Sequence, residues 1–386
     1  MKENIILIGI LCITISSCKP GSGSNNKSHA KDVSIAIDLD REDKLSLYDL
    51  FSSIELIPLE TKNESLLQFL MEEPDQVYKI DDLFYLLDRP QDAVFIFNQD
   101  GKFIRRVSKS GKGNGEYVSA DAFAITDHHQ IEILSSIGRS IYCYDSLGMN
   151  FLERRIFPSE LPVIHHFFPL NEDEYILYAS HPKENEGNMY IYSWKDKNYT
   201  KLGYKLPDWT PFGPKLSVPF YMLNDQLCFA QTYNGDVFTL SKDKKQLNLR
   251  YSWDFGDKTF SLSAIPENKE LSYYIDMLKN ISYDYAIQFL IYKENSSFYF
   301  TRFKYKNRYK HLIYDKATKS YRLFEHFTEG GQCVPQWIDE KAIYTFINPY
   351  FIHNVIDLSK LNNADKQRLP TFSNHDNPVV IKYNFK

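Results

Sequence analysis

The sequence lacks most of the features from which an activity is read. Its five cysteines, Cys12, Cys18, Cys143, Cys228 and Cys333, fit no zinc spacing, and a core of this size needs no disulfide. Cys143, Cys228 and Cys333 each lie in or beside an apolar segment and read as buried free thiols. There is no His-x-x-x-His pair and no Gly-x-Ser-x-Gly elbow. His165 and His166 are adjacent on a predicted strand and point to opposite faces, so they cannot chelate one ion. No metal or cofactor is implied. A net charge of -5 with no basic stripe excludes nucleic acid as the main partner. The longest apolar run, Ile5 to Ile15, falls short of the roughly 20 residues that span a bilayer.

What is present is aromatic and periodic. Aromatics make up 15% of the chain, with 28 Tyr and 27 Phe, which favours strands. The stretch from Leu83 to Tyr117 sets the pattern. Leu83 to Asp88 is apolar on both faces, and Pro90 breaks it. Ala93 to Phe97 resumes, Asn98-Gln99-Asp100-Gly101 turns, and Phe103 to Val107 forms a solvated edge. Similar four-strand sets follow from Ser119, Val163, Ser217 and Ala286, and a sixth opens at Val334. Their second strands recur at about 45 to 50 residues, the period of propeller blades. Pro266 to Asn280 interrupts the period and reads as an inserted helix.

The two ends complete the count. The sixth set has two strands and needs two more. Val379 to Phe385 supplies one. Ile54 to Glu60, marked as an edge by Pro58, supplies the other. The expectation is an all-β, six-bladed propeller of four-stranded antiparallel blades, closed by pairing the N- and C-terminal strands.

The first residues carry an address. Met1-Lys2 and the apolar run fit a secretory signal. Ile15-Ser16-Ser17-Cys18 resembles a bacterial lipobox, although Ile15 departs from the usual Leu. The resemblance implies cleavage before Cys18 and lipid attachment there; the alternative is an ordinary signal peptide cut elsewhere. The expected organisation is a signal peptide over 1–17, a flexible tether over 18–32 and a propeller over 33–386. The membrane would be one partner, through the anchor at Cys18. The expected location is the cell envelope, at the outer membrane, with the leaflet left open.

Several segments also resemble a known family. IPLE near the start, the unit ending in GKFIRRV, the loop GKGNGEY and the terminal NPVVIKY strand resemble the six-bladed propeller lipoproteins of Bacteroidetes, related to NHL-repeat propellers. The resemblance spans Ile54 to Phe385 and implies the fold and the envelope address, but no common reaction. Asp145-Ser146-Leu147 resembles the Asp-Ser/Thr-aliphatic site of Bacteroidetes periplasmic O-glycosylation, which makes Ser146 a candidate acceptor; the same residues equally suit a hairpin turn.

Candidate ligand contacts are few. The glycine-alternating loop reads first as a connector between two sheets. Its Lys109, Lys112, Glu116 and Tyr117 are candidates for a ligand rim at the central mouth. Trp209 and Trp337 lie near predicted blade edges, where indole rings can stack on a sugar. The leading expectation is a binding or scaffolding module that engages protein or glycan at one propeller face. The alternative is an envelope polysaccharide lyase or glycoside hydrolase with its site in the axial funnel. A converging pocket of acids, bases and cations would favour the enzyme, and a shallow aromatic mouth the binding module.

Overall fold

The computed structural model describes residues 33–68, 76–179, 187–204, 220–230, 233, 235–261, 266, 269–332, 334–371, 373 and 375–386. Six antiparallel sheets form the blades of a propeller. Blade 1 comprises Gln76–Ile80, Leu83–Asp88, Ala93–Asn98 and Phe103–Val107. Blade 2 comprises Ala122–Ile125, Ile131–Ser135, Ser140–Tyr144 and Phe151–Ile156. Blade 3 comprises His166–Pro169, Glu174–Tyr178, Met189–Ser193 and Asn198–Lys201. Blade 4 comprises Phe220–Leu223, Gln226–Ala230, Val237–Leu240 and Leu247–Asp254. Blade 5 comprises Ile287–Glu294, Phe298–Tyr305, Arg308–Asp315 and Ser320–Phe324.

Blade 6 is built from both ends. Trp337–Ile338, Ala342–Ile347 and Val379–Phe385 are joined at the outside by Phe51–Pro58. The closing ladder runs from Phe51 opposite Phe385 to Pro58 opposite Val379. Pro58, which has no donor to offer a neighbour, thus occupies the free edge, where it costs no ladder bond.

Period-2 patterning explains how the blades stack. In the second strand of blade 5, Tyr299, Phe303 and Tyr305 pack toward blade 4, while Phe298 and Phe300 pack toward blade 6. Both faces of such a strand are buried, and the apolar residues alternate in destination rather than in presence. The turns carry the positive backbone angles. Gly101, in the last turn of blade 1, has φ +79°, and a Cβ there would stand 2.2 Å from the Pro58 carbonyl oxygen of the neighbouring blade. Only glycine satisfies both demands.

The N-terminal segment is a strap across three blades. Ser34–Ala36 adds a fifth, parallel strand to blade 4, with Ser34 opposite Ser252. The chain then crosses blade 5, where the Asp43 N–H donates to the Leu323 carbonyl at 2.7 Å and the Asp43 carboxylate accepts from the Leu323 N–H at 2.9 Å. The short helix Leu47–Leu50 follows, capped by Ser46, before the closing strand of blade 6.

Alternating strand direction sorts the connections onto two faces. First-to-second and third-to-fourth connections lie on one face; the longest are 145–150 and 241–246. The opposite face carries 108–121, 255–261, 269–286 and 348–371. The inserted helix lies in 269–286, but it spans Leu271–Asn280 with Glu270 as N-cap. The sequence expectation placed its start at Pro266, which instead accepts a hydrogen bond from the Tyr274 hydroxyl, outside the helix. Among the described residues no helix is long and apolar enough to cross a membrane.

Two histidines are sealed inside this packing. His166, on the first strand of blade 3, and His311, on the third strand of blade 5, are buried. Burial, aided by the positive charge of Arg89, pushes His166 down to about 3. Burial and Arg302 push His311 well below the usual imidazole range. In the unfolded chain both take up protons below about pH 6.5. The fold does not, so its stability is full above that pH and declines as pH falls. The decline is about 1.4 kcal/mol per pH unit for each residue. Urea unfolding at about pH 7.5 and about pH 5 is expected to show a loss of about 2 kcal/mol per histidine. His311→Phe should remove its share of that difference; a variant that keeps the full wild-type slope would refute the assignment.

Candidate functional site

The seam between blades 2 and 3 opens outward into a groove of about 730 Å³. Its first wall is the outer strand of blade 2. That strand has no further neighbour in its sheet, so Glu153, Arg154 and Ile156 reach solvent. Phe157 and Pro158 continue the wall beyond the strand. The second wall comes from two short turns of blade 3. One gives Glu172 and Asp173; the other gives Trp194, Lys195 and Lys197, with Tyr192 just before it.

Hydrogen bonds fix both turns. The Asn171 side-chain oxygen accepts from the Asp173 N–H at 2.9 Å and the Glu174 N–H at 2.8 Å. The Asp173 carboxylate accepts from the Ser193 hydroxyl at 2.9 Å and from the Lys195 N–H at 2.5 Å. The Trp194 N–H donates to the Asp173 carbonyl at 3.0 Å. Turns tied together in this way hold their side chains ready for a ligand without further ordering.

Trp194 forms the aromatic floor. Its ring meets Tyr192 edge-on at 4.7 Å and lies 5.2 Å from Phe157 at an angle of 33°. The Arg155 guanidinium stands 5.9 Å over the ring. Trp194 is partly exposed, with its ring Nε1 buried.

A buried cluster underlies the wall. Glu132 is fully buried in blade 2. Its Oε1 accepts from the Tyr175 hydroxyl at 2.5 Å and from Arg155 Nη1 at 3.2 Å. Its Oε2 has no hydrogen-bond partner among the described residues. Burial raises the Glu132 carboxyl above its usual range, against the pull of the Tyr175 hydrogen bond and the Arg155 charge. Arg155 also reaches Glu153 at 2.6 Å, so one guanidinium ties a buried acid to a surface acid. Cys143 lies 3.7 Å from Glu132, and burial raises its thiol. This is the converging set of acid, cation and phenol that an enzyme would show. Its carboxylate, however, is sealed beneath the groove rather than presented to it.

The residues singled out in the sequence are dispersed. Lys109, Lys112 and Glu116 sit on the connection from blade 1 to blade 2. That loop lies over the outer half of blade 2: the Tyr144 hydroxyl donates to the Gly115 carbonyl at 2.8 Å, and a Cβ on Gly115 would meet the Phe151 ring. Glu116 accepts from the Gly113 N–H at 2.7 Å, an internal brace. Tyr117 is fully buried, its hydroxyl donating to the Asp92 carbonyl at 2.8 Å. It anchors the loop and presents no surface to a ligand. Trp337 lies on the innermost strand of blade 6 and packs 5.8 Å from Tyr78. Ser146 is exposed in the turn 145–150, which the Asp145 carboxylate organises by accepting from the Met149 N–H at 2.7 Å and from Asn150 Nδ2 at 2.6 Å. Cys143 and Cys228 are free and buried. Cys18, Trp209 and Cys333 lie outside the described residues. Sequence reasoning missed Trp194. The available signal was a large aromatic placed inside a polar hairpin turn, WKDK.

Among the described residues, no group of three or more His, Cys, Asp or Glu side chains is placed to hold a metal ion. The profile of a family described as a domain of unknown function (DUF4934) matches residues 31–384. Among curated proteins none matches the chain in sequence. A solved protein of Bacteroides fragilis described as exported shares the fold with a TM-score of 0.68 at 14% identity, over 92% of this chain and 99% of that one. A member of the DUF4221 family from Bacteroides vulgatus does so with a TM-score of 0.54 at 11% identity, over 87% of this chain and 97% of that one.

The buried cluster makes a stability prediction. Arg155→Ala leaves the Glu132 carboxylate sealed without its cation and should cost about 3 to 5 kcal/mol in urea unfolding. Adding Glu132→Gln should recover a large part of that loss, because the stranded charge is gone. A double variant no more stable than Arg155→Ala would show that Arg155 acts through packing alone.

Proposed function

The chain belongs to the DUF4934 family, and on that premise we propose that it is an envelope-anchored β-propeller that binds glycan chains in the groove between blades 2 and 3. The observation that carries this reading is Trp194: a partly exposed indole on a braced turn, in an open groove edged by polar side chains. A pyranose ring has apolar C–H faces and hydroxyl edges. The indole suits the faces, and Glu153, Arg154, Glu172 and Lys195 suit the hydroxyls. The opening is elongated along a strand edge rather than enclosed, which fits a chain better than a small metabolite.

The address belongs to the same proposal. The lipobox-like Ile15-Ser16-Ser17-Cys18 and the polar segment up to Val33 support a lipid anchor at Cys18 with a flexible tether. The kinship in fold with a protein described as exported accords with it. The strap fastens the start of the propeller to the outer edge of blade 4, so the tether would join the propeller at its rim.

The test is a glycan array probed with the full-length protein, followed by titration of the best glycan. Saturable binding is expected, and Trp194→Ala should weaken it by about 30-fold, the scale of an aromatic hot spot. Trp194→Phe keeps a ring for the neighbouring aromatics and should retain most of the affinity. Binding that survives Trp194→Ala would move the site elsewhere on the propeller. Release of shortened sugars from the same samples would replace a binding module with an enzyme.

A further inference from the structure

Large apolar side chains are left exposed unevenly on the two faces of the propeller. Three of them surround the turn 136–139, which joins the second and third strands of blade 2 on the face that carries the blade-to-blade connections. Ile137, in this turn, is 77% exposed. On one side the Ser119 N–H donates to the Ser135 hydroxyl at 3.3 Å, which holds the exposed Val118 beside the turn. On the other side Arg139 donates through Nη2 to the Pro158 and Leu161 carbonyls at 2.7 Å each, and the exposed Val163 follows in that connection. Elsewhere on the same face, Tyr273 and Tyr283 stand out from the insertion between blades 4 and 5, and Tyr350 from the connection 348–371. The other face exposes Leu147, Met149 and Met222.

Exposed apolar groups gathered on one side of a molecule mark a docking surface, and the tether says what meets it. The stretch from Cys18 to Val33 spans about 50 Å when fully extended. Its far end is fixed: Ser34–Ala36 pairs with Ser252, Trp253 and Asp254, the last residues of the outer strand of blade 4. Those residues lead directly into 255–261, on the connection face. A lipid on Cys18 therefore keeps this face within reach of the bilayer, and a contact held close by a tether needs little affinity of its own. Isoleucine and valine suit the boundary between headgroups and acyl chains, and tyrosine suits it with its ring in lipid and its hydroxyl in water. We infer that the connection face rests on the membrane surface, touching it through Val118, Ile137 and Val163 at the tip of blade 2 and through Tyr273, Tyr283 and Tyr350 around the rest of the ring. This rests on the lipid anchor proposed above and adds an orientation to it.

The test is hydrogen exchange on the lipidated protein in phosphatidylcholine vesicles, with intact mass as the check on lipidation. The reference is the chain from Lys19 onward, free in solution, which keeps the whole described fold. Segments 136–139 and 271–283 are expected to exchange about tenfold more slowly on the vesicles. The turns 145–150 and 241–246, on the other face, should exchange equally in both states. Ile137→Asp combined with Val163→Asp should abolish the slowing at 136–139 while the protein stays lipidated and bound to vesicles. Both side chains are exposed, so the unfolding midpoint should not move. A lipidated protein whose two faces exchange alike would overturn the inference and leave the anchor standing. Slowing at 136–139 that survives the double variant would also overturn it. Slowing in the soluble chain that grows with its concentration would give the face to a second copy instead of the membrane. An unmodified Cys18 would remove the anchor and the inference with it.

Discussion

A ring of sheets must be joined once by something other than chain order. Each blade hands its fourth strand to the next through a connection, but the last blade has no successor to hold it in place. In this protein the join is a backbone ladder between Phe51–Pro58 and Val379–Phe385. Around it gather Phe51, Ile54, Ile381 and Tyr383, all buried in one apolar cluster. The ladder places the C-terminal strand inside a four-stranded sheet, covered on its outer side by Phe51–Pro58. Asn377 then holds the exit toward blade 1. Its side chain donates to the Glu60 and Ser65 carbonyls at 2.8 Å each and accepts from the Leu67 N–H at 3.0 Å. The wedge-like packing of the other five blades presupposes that closure.

Two of the buried acids lie at blade seams and differ in completeness. At the seam of blades 4 and 5, Glu294 is fully buried and receives Arg250 through both oxygens at 2.6 and 2.7 Å, the Tyr221 hydroxyl at 2.7 Å and Lys316 at 2.5 Å. Every lone pair has a donor, as a buried charge requires. At the seam of blades 2 and 3, Glu132 has one oxygen satisfied and the other without a partner among the described residues. The incomplete acid lies beneath the open groove.

The fold was legible because each blade is local. Alternation, turns such as Asn98-Gln99-Asp100-Gly101 and the repeat period arise from residues close in sequence. The closing strands were legible by counting, since a sixth set with two members leaves two places for two unassigned strands. The strap was not. Val33 to Leu39 reads as a possible strand, but nothing local says that Ser34 to Ala36 pairs with residues more than two hundred positions away. The groove was hidden for the same reason. Trp194 and Arg154 belong to different blades, and the role of each follows only from the seam that brings them together. Tyr117 shows the converse error. A tyrosine beside three glycines looks like an exposed rim residue, yet the glycines let the loop fold back so that the ring is swallowed between blades 1 and 2.

The closing ladder also sets an order of events. Ile57 pairs with Val380, so no part of that ladder can form until almost the whole chain is available. The first five blades contain their own strands and can assemble as they emerge. Through that interval blade 6 exists only as separate pieces, and Phe51–Pro58, rich in apolar residues, has no partner. The strap offers a way to wait. Ser34–Ala36 docks on blade 4, which is complete well before the C-terminus is made, and so keeps the unpaired strand close to where it is needed. The protein thus carries an early fastening that shortens the search for its late one. Ring closure becomes a local event between neighbours rather than an encounter between the two far ends of an open arc.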